Sequence, residues 1–283
     1  MKEKYNIAII GVGLIGGSLG LAIKNSKLKA NIIGFDKSKV LEKANKIGAI
    51  DSGSTDIKEV VKNADLIILA LHLKLNLRYL KIVSALAKNN SIIVDVGSVK
   101  SNISSLSKKY LKAKQIFIPA HPMAGSEKQG VENANSKLFQ NTTFVICSDK
   151  NSNTDISKLL EIIKAIGANI LFVSAKKHDK IVASISHLPQ LISVALMNSI
   201  PNDERNISYK MAANGFKDLT RIASSKFTVW EDILKENKTE ILKSISNFKN
   251  NLSQIENDLK NNNFKELQNK FKKSNKERDK LFF

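Results

Sequence analysis

One cysteine, Cys147, stands in the 283 residues. A single thiol excludes an intramolecular disulfide and a cysteine-based zinc cluster, so no metal is expected. It lies in the apolar run Thr143-Phe-Val-Ile-Cys147 and reads as a small buried hydrophobe, which fits a reducing, cytoplasmic setting. Arginine is scarce too. Only four of the 45 basic residues are arginines, at positions 78, 205, 221 and 278. The formal charge of +19 is therefore a lysine charge, scattered along the chain among many asparagines and densest near the C-terminal tail. Base readout and phosphate clamping favour arginine with aromatics nearby. The surplus accordingly reads as a solvated surface, with no nucleic-acid partner expected, although a positive field can draw in a small anionic substrate. No apolar run reads as long enough to span a bilayer, and the N-terminus enters a strand without a signal-peptide pattern, so no membrane association is expected.

What is present is most informative between Asn6 and Asp36. An apolar strand, Asn6-Ile-Ala-Ile-Ile10, leads into Gly11-Val-Gly13-Leu14-Ile15-Gly16, the G-x-G-x-x-G spacing of a dinucleotide fold. Gly11 permits a tight turn, Gly13 lets backbone approach a pyrophosphate, and Gly16 lets helix and strand pack closely. The helix opening at Leu14 and Ile15 would aim free N–H groups and its positive dipole end at the phosphates. A second strand, Ile32-Ile-Gly-Phe-Asp36, places an acid twenty residues beyond Gly16. Asp36 would accept hydrogen bonds from a ribose hydroxyl and repel a 2′-phosphate, which favours NAD over NADP.

Further apolar runs alternate with helical patterns: Leu66–Ala70, Ser91–Asp95, Gln115–Ile118, Thr143–Cys147 and Asn169–Val173. That rhythm indicates an α/β fold, a Rossmann-type doubly wound sheet with helices on both faces. Beyond Ser174 strand signals disappear, which predicts two domains: residues 1–174 for the dinucleotide and an all-α helical domain over 175–283. A polar loop from Lys150 to Asp155 is expected inside the first domain. In the second, Ile241, Ile245, Phe248, Leu252, Ile255 and Leu259 recur at spacings of 4, 3, 4, 3, 4, a seam that must be covered by other helices of the chain or by a second copy.

Four polar clusters could carry chemistry. Asp95-Val-Gly-Ser98-Val-Lys100 and His121-Pro-Met-Ala-Gly-Ser-Glu127 follow strands, where open α/β sheets bind ligands. Ser186-His187-Leu-Pro-Gln190 lies in the first long helical stretch of the second domain, and Gly215-Phe-Lys217-Asp218-Leu-Thr-Arg221 precedes Trp230. His121, read as a loop residue, is either a structural hydrogen-bonder or an acid–base group beside the cofactor. Ser98 taken alone reads as a helix cap for a segment starting at Val99. Arg221, in a lysine-dominated chain, suggests a rigid fork for a carboxylate, with Lys217 one turn earlier pointing the same way; the competing reading pairs Arg221 with Asp218. His187 reads equally as a helix-packing histidine.

Together these motifs resemble the prephenate/arogenate dehydrogenase family of tyrosine biosynthesis over nearly the whole chain. The carriers are Gly11-Val-Gly-Leu-Ile-Gly-Gly-Ser-Leu19, Asp95-Val-Gly-Ser-Val-Lys100, His121-Pro-Met-Ala-Gly125, Ser186-His-Leu-Pro189 and Gly215-Phe-Lys-Asp-Leu-Thr-Arg221. The resemblance implies an NAD-dependent oxidative decarboxylation of a small anionic cyclohexadiene, in which His121 is the base and Ser98 holds it in register. It implies that Arg221 binds the ring carboxylate, that Lys217 supports it, that Trp230 shapes the pocket, and that Glu127 is the acid near the entrance. His187 and Gln190 would line the substrate site, and a homodimer through the helical domain is implied. Two departures stand out: Gln190 replaces a histidine common in the family, and His72 stands where proline is common. The competing readings are a β-hydroxyacid-type dehydrogenase, which would use a catalytic lysine and lack the His121 loop, and a nucleic-acid-binding redox regulator, which would need a basic recognition element that the chain does not show.

Overall fold

A computed structural model describes residues 4–125, 128–148 and 155–281. The strands are β1 (Tyr5–Ile10), β2 (Ala30–Phe35), β3 (Ser52–Ser54), β4 (Leu66–Leu69), β5 (Ile92–Asp95), β6 (Ile116–Pro122), β7 (Thr143–Ile146) and β8 (Asn169–Phe172). Between them run α1 (Leu14–Lys24), α2 (Ser38–Lys46), α3 (Ile57–Val61), α4 (Leu73–Leu86), α5 (Ser101–Tyr110) and α6 (Ser157–Ala165). The strands form one sheet in the order β3-β2-β1-β4-β5-β6-β7-β8. All neighbouring pairs are parallel except β6 with β7.

The apolar runs are unbroken because both faces of the sheet are covered. Side chains alternate along each strand, so Ile7, Ile9, Leu66, Ile68, Ile92 and Val94 enter one core while Ala8, Ile10, Ile67, Leu69 and Ile93 enter the other. The short edge strand β3, Ser52-Gly-Ser54, gave no apolar signal and was not expected. The loop expected over Lys150–Asp155 lies, up to position 154, outside the described residues.

The second half is helical: α7 (Ala175–Val182), α8 (Leu188–Asn198), α9 (Arg205–Met211), α10 (Asn214–Thr220), α11 (Phe227–Glu236), α12 (Lys238–Lys260) and α13 (Phe264–Asp279). A π-helical turn over Ala183–His187 joins α7 to α8. Pro189, at the start of α8, has no N–H to donate and crowds the carbonyl one turn back, and a widened turn relieves both. The continuous helix Ala175–Asn198 is long and apolar enough, by length and composition, to cross a membrane. This corrects the expectation that no stretch reaches that length. Its polar residues His178, Asp179, His187, Gln190 and Ser193 are nonetheless buried in protein.

The helical half grips the sheet half at the N-terminal ends of α4 and α5. Asp232 accepts the Lys74 N–H at 3.1 Å, Glu236 accepts from the Asn102 amide at 2.6 Å, and Trp230 packs with Leu73 and Val99. The seam on α12 is buried at Ile241, but Phe248, Leu252, Ile255 and Leu259 are exposed on the isolated chain.

Candidate active site

The glycine loop takes the form that dinucleotide binding requires. Gly11 has φ of +95°, and a β-carbon there would lie 2.8 Å from the Ala70 carbonyl oxygen. A β-carbon on Gly16 would meet the Gly11 carbonyl oxygen at 2.0 Å, so the helix can approach the turn only with glycine at this position. Around Gly13 the space is open. Leu14 and Ile15 form the first turn of α1 and are partly buried. Asp36, just past β2, accepts the Val12 N–H at 2.8 Å and the Lys37 N–H at 2.8 Å. The carboxylate thus straps the glycine loop to the end of β2. These residues fit a dinucleotide.

Three strands along, the carboxyl ends of β5 and β6 gather a buried polar network. Lys100 is fully buried; its ammonium donates to Asp95 and, at 2.8 Å, to the Ala120 carbonyl oxygen. The other Asp95 oxygen accepts the Gly97 N–H at 2.9 Å and the Asn76 amide at 3.1 Å. Asn76 also donates to Leu69 and accepts from Leu71. Buried charges are tolerable only when partnered in this way, and removing one partner of such a pair typically costs about 3–5 kcal/mol. The network ties the Ser98 loop to the strand that carries His121.

His121 is a strand residue, not a loop residue. It lies near the end of β6, opposite Val145 of β7, and is partly buried. Its Nδ1 is 2.9 Å from Nε2 of His178, and His178 Nδ1 is 2.8 Å from a carboxylate oxygen of Asp179. Burial, foremost, and then the electrostatic influence of His178, Lys100 and His187, which disfavours a further positive charge, hold the His121 pKa well below the ordinary 6.5. His121 is therefore neutral at neutral pH.

Ser98 does not cap a helix. The segment after it becomes helical only at Ser101, and the N–H groups of Lys100 and Ser101 each donate to Asp179, both at 2.8 Å. A serine was expected as the cap because the acid that does the capping lies 78 residues beyond Ser101. Burial alone would raise the Asp179 pKa, but hydrogen bonds from His178, Ser101 and Lys100 outweigh it and hold the acid ionised.

His187 is buried beside these groups. Asn237 donates from Nδ2 to the Asp179 backbone carbonyl at 2.8 Å and sits 3.2 Å from His187 Nδ1. The Trp230 ring meets the His187 ring edge-on at 5.9 Å. Burial pushes the His187 pKa down to about 4, against the opposing pull of Asp179. Gln190 is buried with its amide donating to the Ile222 carbonyl at 2.9 Å. Lys217 is exposed on α10, and Arg221 is exposed at the start of the 3₁₀ turn that follows. Glu127 lies outside the described residues. His178, Asp179 and Asn237 were not expected at the site. The only signal for the first two is an adjacent imidazole and acid among the lysines of Ala175-Lys-Lys-His-Asp-Lys180.

Comparison with known proteins gives the family. The nucleotide-binding domain of prephenate dehydrogenase matches as a family model over residues 19–172, and the prephenate dehydrogenase dimerization domain matches over 174–273. The chain belongs to the prephenate dehydrogenase family. Prephenate dehydrogenase of Lactococcus lactis is 36% identical over 88% of this chain and 70% of its own length. Cyclohexadienyl dehydrogenase of Zymomonas mobilis is 30% identical over 96% of this chain and 94% of its own. Among solved structures, the prephenate dehydrogenase of A. aeolicus, in complex with hydroxyphenyl propionate and NAD+, superposes with a TM-score of 0.88 at 27% identity, covering 99% of each chain. This chain is thus an oxidoreductase of that family, with a Rossmann-type half that binds a dinucleotide.

Proposed function

We propose that the protein oxidatively decarboxylates prephenate, arogenate or both, with NAD as the cofactor, in tyrosine biosynthesis. The observation that carries this reading is a neutral, partly buried His121 at the carboxyl edge of a sheet whose first turn fits a dinucleotide. NAD, which the glycine loop and Asp36 would hold, would supply the acceptor for the hydride of ring C4. His121 takes the proton from the C4 hydroxyl, so the oxygen lone pair can form the C4–O double bond as hydride leaves. The ring carboxylate departs as carbon dioxide; its bonding electrons enter the ring and settle on the C4 oxygen, which becomes a phenol on recovering a proton. Ser98 holds the imidazole and the hydroxyl in register. Arg221 and Lys217 bind the anionic groups, while His187, Gln190 and Trp230 shape the site. Residues 1–174 hold the cofactor and 175–283 complete the substrate site. NADH formation followed by absorbance, with prephenate and arogenate supplied separately, tests the reading and assigns the substrate. The absence of NADH with both substrates would refute it.

Two further expectations belong here. NAD should outperform NADP, and Asp36→Ser should narrow the gap, because a neutral side chain no longer repels a 2′-phosphate. Better turnover with NADP in the unaltered enzyme would count against the ribose-hydroxyl role of Asp36. The α12 seam is proposed as the core of a homodimer: Phe248 is 37% exposed and Leu252 54% exposed on the isolated chain, too much apolar surface to leave in a row. Phe248→Asp combined with Leu252→Asp should shift the protein to monomer in light scattering, since a charge buried without a partner is costly. A wild-type monomer at micromolar concentration would contradict this.

A further inference from the structure

His178 and Asp179 come from the helical half of the chain, are only 2% and 3% exposed, and are given no role by the resemblance that assigned the rest of the site. We propose that they are the positioning pair of the base, with Asp179 setting the tautomer of His178 and His178 setting that of His121. The inference rests on the reading of His121 as the base.

The hydrogen-bond directions follow from one fixed charge. Asp179 is ionised and can only accept, so the proton of His178 lies on Nδ1. In the proposed arrangement His178 is the neutral tautomer, so its Nε2 carries a lone pair and accepts from His121, which places the His121 proton on Nδ1. The lone pair of His121 is left on Nε2, the atom that must receive the substrate proton. Once protonated, His121 donates from Nδ1 toward an imidazole already polarised by a carboxylate, so its new charge is compensated inside a buried site. Compensation is needed because burial, foremost, and then the neighbouring Lys100 disfavour charge on His121. The same carboxylate takes the N–H groups of Lys100 and Ser101. One side chain of the helical half therefore orients the base and anchors the loop that carries Ser98.

Three variants separate positioning from packing. In His178→Gln the amide oxygen can still accept the His121 Nδ1 proton; in His178→Phe nothing can. Asp179→Asn keeps an oxygen for one of the two α5 N–H groups and removes the charge. The expected result is a fall in kcat on the order of 10²-fold for His178→Phe and Asp179→Asn, with substantial rescue in His178→Gln, while KM and NADH affinity stay within about twofold. The chain has only four histidines, so the imidazole nitrogens can be followed by NMR without turnover. His121 should carry its proton on Nδ1 in the wild type and in His178→Gln, and shift toward a mixture with the Nε2-protonated form in His178→Phe. A wild-type His121 protonated on Nε2, or an unchanged kcat in His178→Phe, would overturn the proposal. Absence of NADH formation by the wild type would instead refute the functional reading, and the tautomer measurement would still decide this one.

Discussion

Replacing His121 with asparagine is expected to lower kcat by roughly 10²–10⁴-fold, the contribution of a positioned general base, with little change in NAD affinity. Asparagine keeps the polarity of the site but cannot take a proton. The wild-type pH profile provides a second check on the same residue. Because burial and neighbouring positive fields depress the His121 pKa, the imidazole stays deprotonated well below the ordinary histidine value of 6.5. The rate should therefore hold steady as pH falls from neutrality through 6.5, and decline only at more acid pH, where His121 at last takes up a proton. Near-normal turnover in the asparagine variant would remove His121 from the mechanism. An acid limb centred at 6.5 would mean that the titrating base is not this buried one.

The second large effect is expected at Arg221. Arg221→Gln should raise KM by roughly 10–100-fold, the equivalent of about 1.5–3 kcal/mol for a charge-assisted bidentate contact to a carboxylate. Arg221→Lys should restore only part of this, since an ammonium presents a point charge and not a fork. Arg221 lies on the exposed 3₁₀ turn after α10, one turn beyond Lys217. It is carried by the same segment whose Ile222 carbonyl receives the Gln190 amide, so its backbone is tied to the buried part of the helical half. Full rescue by lysine would show that Arg221 contributes charge alone.

The dinucleotide half was legible from residue order because its determinants are local. A turn that needs positive φ at Gly11, a contact that only glycine allows at Gly16, and an acid one strand later are fixed within about thirty residues, and each leaves its mark on the sequence. The strands were legible for a similar reason: a sheet covered on both faces demands unbroken apolar runs. β3 escaped notice because an edge strand of Ser-Gly-Ser carries no such demand. The antiparallel pairing of β6 with β7 escaped because an apolar run does not record its direction.

The environment of the base was decided by tertiary structure alone. His121, Lys100 and Asp95 could be picked out as residues, but nothing local says that an acid 78 residues beyond Ser101 will cap α5, or that the same acid will hold a histidine against His121. Serine was the reasonable local choice for the cap, and a distant carboxylate took the position by packing. The membrane-length helix makes the same point from the other side: its composition is that of a span, and only its contacts show His178, Asp179 and His187 turned into protein. Sequence by itself determined the class of fold, the cofactor loop and the residue types available for acid–base chemistry, because these rest on spacing and on backbone sterics. Tertiary structure decided which of those residues is buried, neutral and oriented, because desolvation and hydrogen-bond partners come from segments that meet only when the chain is folded.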